Sequence, residues 1–103
     1  NIPFLQVLDA VRYIKKIPDT SIDAACIRLL NIVKELSDKD VSTLIRLAQK
    51  YPPATRALIG AILDEVGKQQ LTNSLMKSLN PISKYNLKGA DKVLSLTEKW
   101  NIV

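Results

Sequence analysis

Asp64 and Glu65 are the nearest this sequence comes to a pair of acid–base groups. Neighbouring residues on a helix point in different directions, so the two carboxylates are expected at a solvated helix end and not over one substrate. The chain has no histidine to act as a base near neutral pH. Its single cysteine, Cys26, lies in the apolar run Ala24-Ala25-Cys26-Ile27. One thiol forms no internal disulfide, and without histidine or a second cysteine a zinc site is nearly excluded. A buried thiol of the core is the expectation. Gly60, Gly67 and Gly89 are too far apart for a phosphate-cradling loop. The residue types therefore point away from an enzyme and name no catalytic, cofactor or metal-binding residue.

Binding chemistry has more to draw on. The net charge is +5. Residues 1–67 are almost balanced, whereas residues 68–103 hold six lysines against Asp91 and Glu98. Lys84, Lys88, Lys92 and Lys99 are interleaved with Tyr85 and Trp100, a mixture of cations and aromatics that suits phosphates or an acidic partner. The same aromatics can instead anchor the tail on the core, and a buried Trp100 would then need a partner for its indole N–H.

These groups must be carried by helices. At 103 residues with 47% hydrophobic residues, one domain with one core is expected. Leu5, Leu8, Val11 and Ile14 recur at helical spacing after Pro3, in a helix that ends near Ile17. A second helix, capped by Ser21 or Asp19, carries Ile22, Ala25, Cys26, Leu29, Leu30, Val33 and Leu36. A third runs from about Asp38 to Lys50 behind Ser37, with Val41, Leu44, Ile45 and Ala48 inward. Pro53 starts a fourth, almost wholly apolar helix, which Gly67 can close with a left-handed cap. The small residues Ala54, Ala57, Gly60 and Ala61 would let another helix approach closely, which marks this as the central helix of the domain; a dimerisation surface is the alternative use. A shorter helix spans Gln69 to Leu79, and Asn80-Pro81 ends it. Beyond it the alternation of Tyr85 and Leu87 predicts a short extended piece, with Trp100 and Ile102 anchoring the tail. No apolar run approaches the roughly 18 residues of a membrane span.

The segment Ile62 to Thr72, with Gly67 at its turn, has the outline of a helix-turn-helix. The positions one and six after the glycine are Lys68 and Asn73, both polar where such a motif buries apolar residues. Two packed helices joined by a glycine cap are the better expectation.

The least generic stretch is Tyr51-Pro52-Pro53-Ala54-Thr55-Arg56-Ala57-Leu58-Ile59-Gly60-Ala61-Ile62-Leu63. It resembles a block of the AbiEi-type antitoxins, transcriptional regulators of bacterial type IV toxin–antitoxin or abortive-infection systems. Pro18 to Asp23, Leu79 to Leu87 with its Leu-Asn-Pro start, and Leu96 to Ile102 with its Lys-Trp-Asn-Ile ending resemble further family segments in the same order. The ending departs from the family's pattern: Ser95-Leu96-Thr97-Glu98 lacks the usual proline. The resemblance implies a C-terminal fragment of a longer protein, whose N-terminal winged-helix domain would bind the operator of its own gene. It implies a functional link to a nucleotidyltransferase-type toxin. The resemblance carries over no functional residues, but Arg56, a cation inside the first block on an otherwise apolar helix, is the first candidate contact residue; the structural alternative is a partner for a helix-terminal carbonyl or for an acid such as Asp40.

The resulting expectation is an all-α bundle of about five helices with an irregular, partly extended C-terminal tail. It would be a cytoplasmic, non-enzymatic antitoxin and regulator domain, in keeping with its low cysteine usage. Nucleic-acid or partner contacts fall on Arg56, Lys84, Lys88, Lys92 and Lys99. A generic interaction or dimerisation module and an accessory basic nucleic-acid-binding module are the other readings.

Overall fold

The computed structural model describes residues 3–103. Five α-helices follow in order: α1 (Phe4–Arg12), α2 (Ile22–Val33), α3 (Asp38–Ala48), α4 (Pro53–Glu65) and α5 (Asn73–Lys77). Short 3-10 turns cover Ile14–Lys16, Gln69–Leu71 and Ala90–Lys92. The all-α bundle expected from the sequence is therefore what forms.

Helix α4 is the axis of the bundle and packs against each of the other four helices. Its residues Ala57 to Leu63 are all buried, with no polar side chain among them. Fully burying a leucine or isoleucine stabilises by roughly 1.5–3 kcal/mol, so this run does much of the work of holding the layers together. Pro53 occupies the first turn, where its missing N–H costs nothing. The other end closes with a Schellman motif. Lys68 N donates to Leu63 O at 2.9 Å and Gly67 N to Asp64 O at 3.1 Å. Gly67 sits at φ +87°, a conformation only glycine adopts cheaply.

Ser21 and Ser37 cap α2 and α3, accepting from Ala24 N and Asp40 N. Asp19, the other cap read from the sequence, instead turns the chain at φ +55°. The apolar stripe of α1 is corrected by one position: Val7, Leu8 and Val11 are buried, while Leu5 is 59% exposed. Val7 lies four residues before Val11 on the face that meets α4, and Leu5 falls off that face. The helix expected over Gln69–Leu79 is broken at Thr72, whose hydroxyl is drawn to α4. It forms a 3-10 turn and the five-residue α5. Five residues are too short to lie along a groove as a recognition helix.

The tail is irregular but tied down. Tyr85 N donates to Asn101 O, Val103 N to Tyr85 O and Leu87 N to Val103 O, at 2.8, 2.8 and 3.0 Å. This makes one parallel bridge between Tyr85 and Ile102, the short extended piece that the alternation predicted. Gly89, at φ +107°, turns the chain against Ile22 of α2. Trp100 and Ile102 are buried, as expected of anchors.

Candidate functional site

The most constrained polar group is Asp64, and its placement corrects the sequence reading. A solvated helix end was expected, yet Asp64 is 3% exposed. Near a helix C-terminus a carboxylate faces the negative end of the macrodipole, and burial adds a desolvation cost. Three donors offset this. Thr72 Oγ1 donates to Oδ1 at 2.7 Å, and Lys99 Nζ and Trp100 Nε1 donate to Oδ2 at 2.6 and 2.8 Å. Two of the three donors come from the tail, more than 30 residues away. Glu65 points elsewhere and accepts from Ser95 N and Oγ, so the two acids do not converge.

Trp100 reaches Asp64 because Gly60 lets it. An added Cβ at Gly60 would fall inside the van der Waals envelope of three carbons of the indole ring. The small-residue face of α4 therefore receives this ring, where the sequence had suggested another helix or a second chain. Ala57, Gly60 and Ala61 are buried within the bundle, so self-association through this face has no surface to use.

Arg56 acts as a brace. Its Nε donates to Tyr51 O at 3.0 Å. Its Nη1 donates to Ser78 O at 3.0 Å and to Ser78 Oγ at 2.8 Å. Ser78 closes the C-terminus of α5, so Arg56 meets the helix-terminal carbonyl that was one of its two structural alternatives. Tyr51 is held on its other side by Asp9, to which its hydroxyl donates at 2.9 Å. Burial, and then this bond, push the Tyr51 hydroxyl above its ordinary pKa. Burial likewise pushes the Cys26 thiol up to about 11, with Asp23 adding to the rise, in keeping with a core thiol.

The four lysines differ in what holds them. Lys99 is committed to Asp64 and also lies 5.6 Å from the Trp100 ring centroid. Lys84, Lys88 and Lys92 are exposed along the run from 84 to 92 and take part in no salt bridge among the described residues. Lys92 lies near the first turn of α2. There the Ser21 hydroxyl chiefly, with smaller help from backbone amides and Lys92, holds Asp23 below the usual carboxylate range.

Beside the Asp64 lock opens a cleft of about 250 Å³. Met76 and Leu79 give it an apolar wall, and Tyr85 and Trp100 an aromatic one. Lys77, Asn80, Lys99 and Asn101 supply polar groups around it. The Tyr85 hydroxyl is shielded from solvent and has no hydrogen-bond partner among the described residues. Sequence reasoning missed Lys77, Asn80 and Asn101 as functional candidates. The available signal was that Asn80 and Asn101 stand inside two of the family-like segments. No group of three or more potential metal ligands occurs among the described residues, and no helix there is long and apolar enough to cross a membrane. No family model matches the chain, and neither a curated protein nor a solved structure matches it.

Proposed function

We propose that this chain is a non-enzymatic domain of a bacterial antitoxin and transcriptional regulator of the AbiEi type, contributing to protection against a nucleotidyltransferase-type toxin. One observation supports the reading. The segments that carry the resemblance interlock around α4. Arg56, inside the first block, braces Ser78 just before the Leu-Asn-Pro segment. Tyr85 of that segment pairs with Ile102 of the tail. Trp100, in the Lys-Trp-Asn-Ile ending, packs on Gly60 of the first block. Residues far apart in the chain are thus needed together for one structure.

In this reading operator recognition belongs to an N-terminal winged-helix domain outside this chain, and the domain works in the cytoplasm. The test is growth of toxin-expressing cells. Full-length protein should protect them, and removal of the segment corresponding to residues 1–103 should abolish protection. Undiminished protection after that removal refutes the proposal.

A second reading, accessory contact with nucleic acid, is favoured by Lys84, Lys88 and Lys92, which are exposed and form no salt bridge among the described residues. Lys99 and Arg56 contribute less to it than the sequence suggested, because both already hold protein partners.

A further inference from the structure

We infer that the cleft between α5 and the tail is a docking site for an acidic protein segment that presents an apolar side chain beside a carboxylate. At about 250 Å³ the cleft is smaller than the roughly 300–1,000 Å³ of small-molecule sites, and it suits a single amino-acid side chain. Its walls of Met76, Leu79 and Tyr85 would receive an apolar one.

The unspent hydrogen-bonding capacity is mostly donor. Lys77 is exposed and forms no salt bridge among the described residues. Lys99 has given one of its three N–H groups to Asp64. Asn80 uses its side-chain oxygen to accept from Ile82 N, which leaves its amide N–H groups. The shielded Tyr85 hydroxyl has no hydrogen-bond partner among the described residues. Asn101 donates to Pro81 O and keeps its oxygen. An excess of donors around an apolar floor favours an anionic ligand with an apolar body.

The loop at the cleft's edge adds an independent sign. Ile82, next to the cleft residue Pro81, is 84% exposed, the most exposed large apolar side chain among the described residues. Its backbone N–H donates to Asn80 Oδ1 at 2.9 Å in the turn that carries it. An apolar group beside a basic rim is the arrangement of a protein contact.

The test titrates the ¹⁵N-labelled chain with the peptide Asp-Glu-Leu-Phe-Asp-Glu and follows amide shifts. The expected result is saturable shifts at Asn80, Asn101 and the Trp100 indole. Ile82→Ser and Lys77→Glu, both at exposed positions, should each weaken binding about tenfold with an unchanged melting temperature. Lys88→Glu should leave binding as it is. A control peptide with serines in place of Leu-Phe should bind at least tenfold more weakly. Absence of shifts at the cleft overturns the inference. So does equal binding of the serine control, equal weakening by Lys88→Glu, or tighter occupation of the same residues by oligothymidylate.

Discussion

Asp64 is the residue on which the tail depends. Truncating it to alanine removes the acceptor of three donors at once. Lys99 can return to water because its side chain is 43% exposed, but Trp100 Nε1 and Thr72 Oγ1 remain buried. Breaking a buried pair costs roughly 3–5 kcal/mol, and the freedom of Lys99 places Asp64→Ala near the lower end, about 3 kcal/mol. Asp64→Asn should cost less, about 1 kcal/mol. Its amide N–H can face Thr72, whose hydroxyl then donates only to Gln69 O, already 3.1 Å away. Its oxygen still accepts from Trp100. Urea unfolding followed by fluorescence of the one tryptophan checks the order: wild type, then asparagine, then alanine. A second prediction at this scale concerns Cys26. Its folded pKa, about 11, stands above the ordinary value of 9.0, so the folded state holds the thiol proton longer than the unfolded chain. That contribution to stability is complete below pH 9 and is lost as pH rises through about 11. Thiol labelling at pH 8 should therefore be slow in buffer and fast in denaturant. Equal rates in both would contradict a buried Cys26.

At the scale of elements, the two glycines of α4's end and middle make a contrast that separates packing from backbone strain. Gly60→Ala should gain up to about 1 kcal/mol in helix propensity. It also drives a methyl group into the Trp100 ring, and overpacking costs roughly 1–3 kcal/mol. The expected net result is destabilisation with a shifted tryptophan emission. Gly67→Ala meets nothing within 4 Å and pays only for the left-handed φ, about 1–2 kcal/mol, with tryptophan emission unchanged. Equilibrium unfolding and emission spectra of the two variants distinguish the mechanisms. The contrast also marks how far the sequence could be read. Helices α1 to α4, the serine caps of α2 and α3 and the Gly67 closure were legible because their signals are local: a 3.6-residue period, a cap, a proline. The anchoring by Trp100 and Ile102 was legible from apolar bulk. Asp64 was not, because what buries it arrives from more than 30 residues away and leaves no trace in helical periodicity. The same applies to Gly60, whose small size serves an indole ring and not a neighbouring helix. The cleft was legible only as separate segments, since it exists where α5 and the tail meet.

For the whole molecule, the question is how much of a net charge of +5 is free to act on a partner. Long-range attraction to a polyanion depends on cations that hold no internal partner. Lys68 pairs with Asp38 at 2.7 Å and Lys99 with Asp64 at 2.6 Å, so the basic excess of the C-terminal third is smaller in space than in the sequence. Lys77, Lys84, Lys88 and Lys92 remain exposed, the last three within residues 84–92. Binding to duplex DNA releases about 0.9 counterion per neutralised phosphate. If these three lysines make the contact, the slope of log K against log salt should lie near −2.7. This corresponds to weak, sequence-independent binding that fades across moderate salt. Replacing the three with glutamine should flatten the slope to near zero, while Lys99→Gln should leave it almost unchanged and lower the melting temperature instead. Fluorescence anisotropy between 50 and 200 mM salt reads the slope, and thermal unfolding reads the cost at Lys99. A slope much steeper than −3, retained in the triple variant, would move the nucleic-acid contact to the basic residues of the helices, and the lysine run would lose its role. A slope that follows the triple variant would assign the run to phosphate contact and leave any base-specific reading to another part of the protein.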